Sequence, residues 1–264
     1  MLKGLIRAGS SFNSHRVIIT LAVLLLAFAV GCASDREARK NDALASQQLA
    51  LAFLNEGRPA RALTELAKAE RAMPDDPEVQ NAMGLAYWAR RDHASAEARF
   101  KKALELRPGF SEAWNNLGAF YLSQGRNNDA VEALEKALGN VYYTSYEMAL
   151  SNLGLALYNL GRYPEARSRL EEALEVNPSQ PAVRQNLSLV LFEEGEYQLA
   201  LVQVNEALKL YPSYPQALLQ KGKILNKVGD RDGAVESFRR TIEIAPASES
   251  GKTARTYLDL MEGK

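Results

Sequence analysis

Cysteine is almost missing from this chain. Cys32 is the only one, so no disulfide can close within it. Histidine is nearly as scarce, with His15 and His93 alone, and His93 stands beside Arg91 and Asp92, where a lone imidazole is ordinarily just solvated. No metal-ligand cluster can be assembled from so few soft ligands, and no nucleophile stands with a base. The glycines follow a long period instead of a phosphate-loop spacing. An enzyme is therefore not expected, nor a metal, a small-molecule substrate or a noncovalent cofactor. Net charge is lacking too: Lys+Arg and Asp+Glu both total 32, which gives no drive toward nucleic acid. Uninterrupted apolar sequence is confined to residues 17–30, short of the ~20 residues that a spanning helix needs.

That apolar run has a context. Lys3, Arg7 and Arg16 precede it, and residues 1–31 contain no acid. Basic, then apolar, then small is the order of a secretory signal. Ala29-Val30-Gly31-Cys32 places the sole cysteine where cleavage would fall. The stretch resembles a bacterial lipobox, with Ala29 where leucine is commoner. The resemblance implies cleavage before Cys32, a diacylglycerol on its sulfur and an acyl chain on the new amino group. Two or more chains anchor stably where one does not. Ala33 and Ser34 follow, without the aspartate that retains enterobacterial lipoproteins in the inner membrane, so the outer membrane is expected, with the body facing the periplasm. Without residues 1–31 the chain has 29 bases against 32 acids, a weakly acidic body. Residues 33–42 are polar and charged, and read as a tether.

The remainder repeats. Small residues stand at Ala50, Gly84, Gly118, Gly154, Ser188 and Gly222, at steps of 34, 34, 36, 34 and 34. Twelve residues after each is an alanine, from Ala62 to Ala234. Sixteen after is a larger apolar residue: Leu66, Phe100, Leu134, Leu170, Val204 and Phe238. Twenty-four after is a proline in every register but one, where Tyr142 stands. This resembles the tetratricopeptide repeat, a helical hairpin that cannot bury its face alone and so stacks. The resemblance implies an all-α, right-handed superhelical solenoid of six hairpins plus a C-terminal capping helix. The expected organisation is a signal peptide at 1–31 and a lipidated tether at 32–42. Six repeats follow at 43–76, 77–110, 111–146, 147–180, 181–214 and 215–248, then a cap at 249–264. In the cap, Ala254, Tyr257, Leu258 and Met261 make one apolar stripe.

In tetratricopeptide proteins the ligand usually lies in the concave groove lined by first helices. The matching positions lie three before, one after and four after each small landmark. They give Asn81, Leu85 and Trp88, then Asn115, Ala119 and Leu122, then Ser151, Leu155 and Tyr158, then Gln185, Leu189 and Phe192. An amide or hydroxyl, an apolar residue and a larger apolar one suit an amphipathic helix or an extended peptide. The same rings could equally pad neighbouring hairpins. The longer joint at 139–147 adds Tyr142, Tyr143 and Tyr146, either a contact loop or wedges between hairpins.

Lipobox, six repeats, cap and the stretch Gly139-Asn140-Val141-Tyr142-Tyr143-Thr144-Ser145-Tyr146-Glu147-Met148-Ala149-Leu150-Ser151-Asn152-Leu153-Gly154 together resemble the type IV pilus biogenesis lipoproteins, the PilF, PilW and Tgl family of pilotins. Tyr146 stands where that family often has proline. The resemblance implies a partner, a pilus secretin subunit, and a role in its outer-membrane localisation and multimer assembly. The alternatives are a lipoprotein adaptor for cell-wall hydrolases or a polysaccharide export complex, or a regulatory subunit that switches a partner enzyme on by binding it.

Overall fold

The computed structural model describes residues 37, 40–140 and 142–263, and every regular element among them is a helix. Helix α1 covers residues 40–55. After it come α2 (Pro59–Ala72), α3 (Pro77–Ala89), α4 (His93–Leu106), α5 (Ser111–Ser123), α6 (Asn127–Leu138) and α7 (Tyr146–Asn159). The chain continues through α8 (Tyr163–Val176), α9 (Pro181–Glu193), α10 (Tyr197–Leu210), α11 (Pro215–Val228), α12 (Arg231–Ile244) and α13 (Glu249–Glu262). These helices form two compact units, the first ending at Leu106 and the second starting at Arg107. Residues 40–42, expected in the tether, are already helical, and Tyr146, expected to close the third repeat, is the first residue of α7.

Local chemistry sets the helix ends. Pro59, Pro77, Pro181 and Pro215 open α2, α3, α9 and α11, where a missing N–H costs nothing and φ is preset. The Asp76 carboxylate accepts from the N–H of Glu78 at 2.8 Å and of Val79 at 3.1 Å, a side-chain N-cap. Between the two helices of a hairpin the chain reverses through a left-handed residue, as at Gly125 (φ 70°) and Gly161 (φ 74°). In the second repeat that place belongs to Arg91, at φ 63°. A residue with a Cβ pays about 1–2 kcal/mol for that conformation.

Within a hairpin, the small landmark residue meets the large one sixteen positions on. A Cβ on Gly84 would fall 2.6 Å from the Phe100 ring. On Gly118, Gly154 and Gly222 it would fall 2.5 Å from Leu134, Leu170 and Phe238. All four large partners are fully buried, each worth roughly 1.5–3 kcal/mol of burial. The fifth hairpin narrows the size difference: Ser188 takes the glycine place and Val204 the large one. The buried Ser188 hydroxyl then donates to Ala200 O at 2.9 Å, as a buried donor must.

A second recurring contact ties three of the hairpins to the proline before them. Gln80 Nε2 donates to Pro74 O at 3.2 Å, Trp114 Nε1 to Pro108 O at 2.7 Å, and Arg184 Nη2 to Pro178 O at 3.0 Å. Three unlike side chains make one bond at the same register. In the first unit Gln80 also donates to Glu70 at 3.1 Å and accepts from Arg99 at 2.7 Å, while Arg99 pairs with Glu70. Burial opposes the Glu70 charge, yet Gln80 and Arg99 outweigh it and hold the carboxyl below its ordinary value.

In the second unit α5 pairs with α6, α7 with α8, α9 with α10, and α11 with α12. Helix α13 closes the end against α11 and α12. Ala254 and Leu258 are buried, the Tyr257 ring stacks on Phe238 with centroids 5.0 Å apart, and Arg255 and Asp259 face solvent.

Candidate protein-binding face

The first helices of the second unit form a continuous layer, since α5 touches α7, α7 touches α9 and α9 touches α11. On this layer Leu122, Leu155 and Leu189 are half-buried. Tyr158 and Phe192 are half-buried as well, but each ring packs on the residue that opens the next helix. Tyr158 lies 5.8 Å from Tyr163, and Phe192 lies 5.4 Å edge-on from Tyr197. Part of each ring is thus spent inside its own hairpin. The polar positions sit deeper: Asn115 and Gln185 are buried, and Ser151 is half-buried. The layer offers a floor of leucines with amides sunk between the helices.

The joint between α6 and α7 sends its tyrosines three ways. Asn140 accepts the Tyr142 N–H on Oδ1 and the Tyr143 N–H on its carbonyl, both at 3.0 Å, a local turn typical of asparagine. Tyr142 is 89% exposed. Tyr143 is half-buried, with its hydroxyl within hydrogen-bonding reach of Ser145 and Asn115. Asn115 Oδ1 in turn accepts from Asn152 Nδ2 at 3.1 Å, so the joint, α5 and α7 meet at one node. Tyr146 points elsewhere: its hydroxyl lies 3.5 Å from Glu172 on α8, which Arg169 holds at 3.0 Å.

Burial raises the Tyr143 hydroxyl above its ordinary value, Glu112 and Glu147 push it further, and Ser145 and Asn115 pull it back. Burial and then Glu193 raise Tyr158 in the same sense. Both tyrosines therefore lie in an environment of carboxylates.

In the first unit, α3 carries the remaining groove positions. Asn81 is buried, and Leu85 and Trp88 are half-buried. Cys32 lies outside the described residues. Asn152 was not among the positions singled out from the sequence, although asparagine two residues before the landmark recurs at 116, 152 and 186. A cleft of about 540 Å³ between α10, α11 and α12, lined by Leu201, Asn205, Lys221 and Arg240 among others, also escaped notice. None of the sequence-chosen residues lines it.

Family models for the tetratricopeptide repeat match residues 48–109 and 151–215, 110–179, and 215–248. The chain belongs to the tetratricopeptide-repeat family. It is homologous to the type IV pilus assembly protein PilF of Pseudomonas aeruginosa, 26% identical over 52% of this chain and 54% of that protein. It is 33% identical to the peroxisomal targeting signal receptor of Kluyveromyces lactis over 44% of this chain, but spans only 20% of that receptor. Among solved structures, Pseudomonas aeruginosa PilF superposes with a TM-score of 0.73 at 23% identity, covering 83% of this chain and 99% of that one. PilW, described as a widely conserved type IV pilus biogenesis factor, superposes with a TM-score of 0.73 at 21% identity, covering 80% and 97%. These two structural likenesses establish the tetratricopeptide fold.

Proposed function

We propose that this tetratricopeptide protein is a pilotin. Acylated at Cys32, it sits on the outer membrane facing the periplasm and binds a subunit of the type IV pilus secretin. It promotes that subunit's localisation and its assembly into the multimer. The observation that carries the reading is the homology to PilF, joined to a lipobox-like Ala29-Val30-Gly31-Cys32 ahead of the repeats. The first-helix face of the second unit and the exposed Tyr142 in its joint support it as well, because half-buried leucines and an exposed aromatic ring suit a polypeptide partner. A tether alone supplies an effective concentration in the mM range, so a weak contact suffices to hold a secretin subunit near the membrane.

The test is recovery of partners from cross-linked outer membranes with the tagged chain, read by mass spectrometry. A secretin as the leading partner is expected, with recovery lowered by Tyr143→Ala. Cys32→Ser is expected to leave the repeats folded and to abolish secretin delivery. Recovery of cell-wall hydrolases or polysaccharide-export proteins without any secretin overturns the pilotin reading in favour of the adaptor, and correct secretin rings with the Cys32→Ser chain overturn the anchor.

A further inference from the structure

Charge is distributed unevenly over the first helices of the second unit. Helices α5 and α7 contain no lysine or arginine, and α9 contains Arg184 alone. Arg184 is committed elsewhere, to Pro178 O and to Gln203 on α10 at 3.0 Å. Each of these three helices carries a single acid: Glu112 and Glu147 in the first turns of α5 and α7, and Glu193 at the end of α9. Helix α11 is the reverse, with Lys221, Lys223 and Lys227 and no acid. Lys221 lines the cleft beside α10. Lys223 occupies the place that Leu155 and Leu189 hold in the preceding repeats, and its Nζ lies 5.8 Å from the centre of the Tyr257 ring. Helices α5, α7 and α9 thus carry one acid each and no uncommitted base, whereas α11 is purely basic. Met148 in the first turn of α7 is 51% exposed, and Tyr142 in the joint that leads into α7 is 89% exposed.

We infer that this face seats one polypeptide segment of bipolar charge, its basic part over α5 and α7 beside Glu112, Glu147 and Met148, and its acidic part over α11 beside Lys223 and Lys227. The inference rests on the first-helix face being the docking surface proposed above. Four helices packed at ~8–10 Å spacing span about 30 Å, the reach of about nine extended residues at ~3.3 Å each. A cationic side chain beside Glu112 and Glu147 gains carboxylate attraction. A segment inserted the other way would set acid against Glu112 and Glu147 and base against Lys223, and opposed like charges select against the wrong register and direction. The charge layout therefore makes binding directional. A phosphate-rich ligand would meet the carboxylates first and is disfavoured.

Random linear peptides displayed against the purified full chain test this. Enriched peptides are expected to hold Lys or Arg and Asp or Glu in one fixed order along the sequence. A selected peptide remade with its charged residues exchanged end for end is expected to bind about tenfold more weakly. Glu147→Lys and Lys223→Glu should each weaken the selected peptide several-fold, and the double variant should prefer the exchanged one. Circular dichroism and melting temperature of the variants confirm that the fold is kept. Equal binding of both orders, enriched peptides with no charge order, or no enrichment at all overturns the inference. Secretin recovered from membranes while peptides show no order sinks this inference and leaves the pilotin reading intact. Ordered peptides without secretin recovery do the opposite.

Discussion

Asn152 donates its side-chain amide to Asn115 Oδ1 across 3.1 Å, and that bond ties α7 to α5 where the Tyr143 hydroxyl also reaches. Asn115 is only 4% exposed. Asn115→Ala therefore leaves the Asn152 amide without its acceptor and removes the amide beside the Tyr143 hydroxyl, and a loss of about 1–3 kcal/mol is expected in urea unfolding. Removing Asn152 as well should cost less than the two single losses added, with a coupling of about 0.5–2 kcal/mol from the double-mutant cycle. Strict additivity would mean the bond does not form in solution.

The Gly84 and Phe100 pair leaves no room for a side chain on the glycine. Gly84→Ser should destabilise the chain by about 1–3 kcal/mol through overpacking. The fifth hairpin already contains the remedy, Ser188 opposite Val204. Adding Phe100→Val to Gly84→Ser should thus return a substantial part of the loss, read as a rise in melting temperature over the single variant. If the double variant melts lower than Gly84→Ser, the size exchange is not what sets this crossing.

Arg91 holds a left-handed conformation that glycine holds in the sister turns of the second unit. Arg91→Gly relieves about 1–2 kcal/mol of backbone strain and gives back about 0.4–1 kcal/mol through the more flexible unfolded chain. A net gain of roughly 0.5–1 kcal/mol is expected, measured by urea unfolding. A loss of stability would assign the arginine a structural contact that outweighs its backbone.

Tyr143 and Tyr158 both ionise above the ordinary tyrosine range, chiefly because they are buried. A raised folded-state value means that the neutral hydroxyl is favoured by folding. The stability it confers is complete below the unfolded value and is lost as pH rises through the folded one. Stability should therefore decline above about pH 10, the unperturbed tyrosine value, and decline less in Tyr143→Phe. Ultraviolet titration of wild type against Tyr143→Phe should place the missing phenol above free tyrosine. A difference spectrum titrating at or below the free value would contradict the burial.

Much of the hairpin architecture was legible beforehand. The landmark and its partner sixteen residues later are read off the sequence as a period, and Gly84–Phe100, Gly118–Leu134, Gly154–Leu170 and Gly222–Phe238 meet as that period requires. The apolar stripe of the last helix likewise turned inward at Ala254 and Leu258. Periodicity finds such contacts because every repeat makes them between the same two backbones. The candidate face was legible only in outline. Leu122, Leu155 and Leu189 could be placed on it from register, but the depth of Asn115 and Gln185 could not, since it depends on how closely the neighbouring first helix packs.

The amino-acid sequence by itself determined the repeat length, the helix ends and the small-against-large pairs, because these follow from backbone geometry and residue size within one hairpin. Tertiary structure alone decided that Gln80, Trp114 and Arg184 make one and the same bond to a proline carbonyl. It also decided that Tyr143 joins the first-helix face while Tyr146 turns to Glu172 on α8. The proline carbonyls lie only six residues before their donors, and the turn between them brings three unlike side chains to one acceptor, while the tyrosine partners lie more than twenty residues away, where residue type along the chain does not encode the distance.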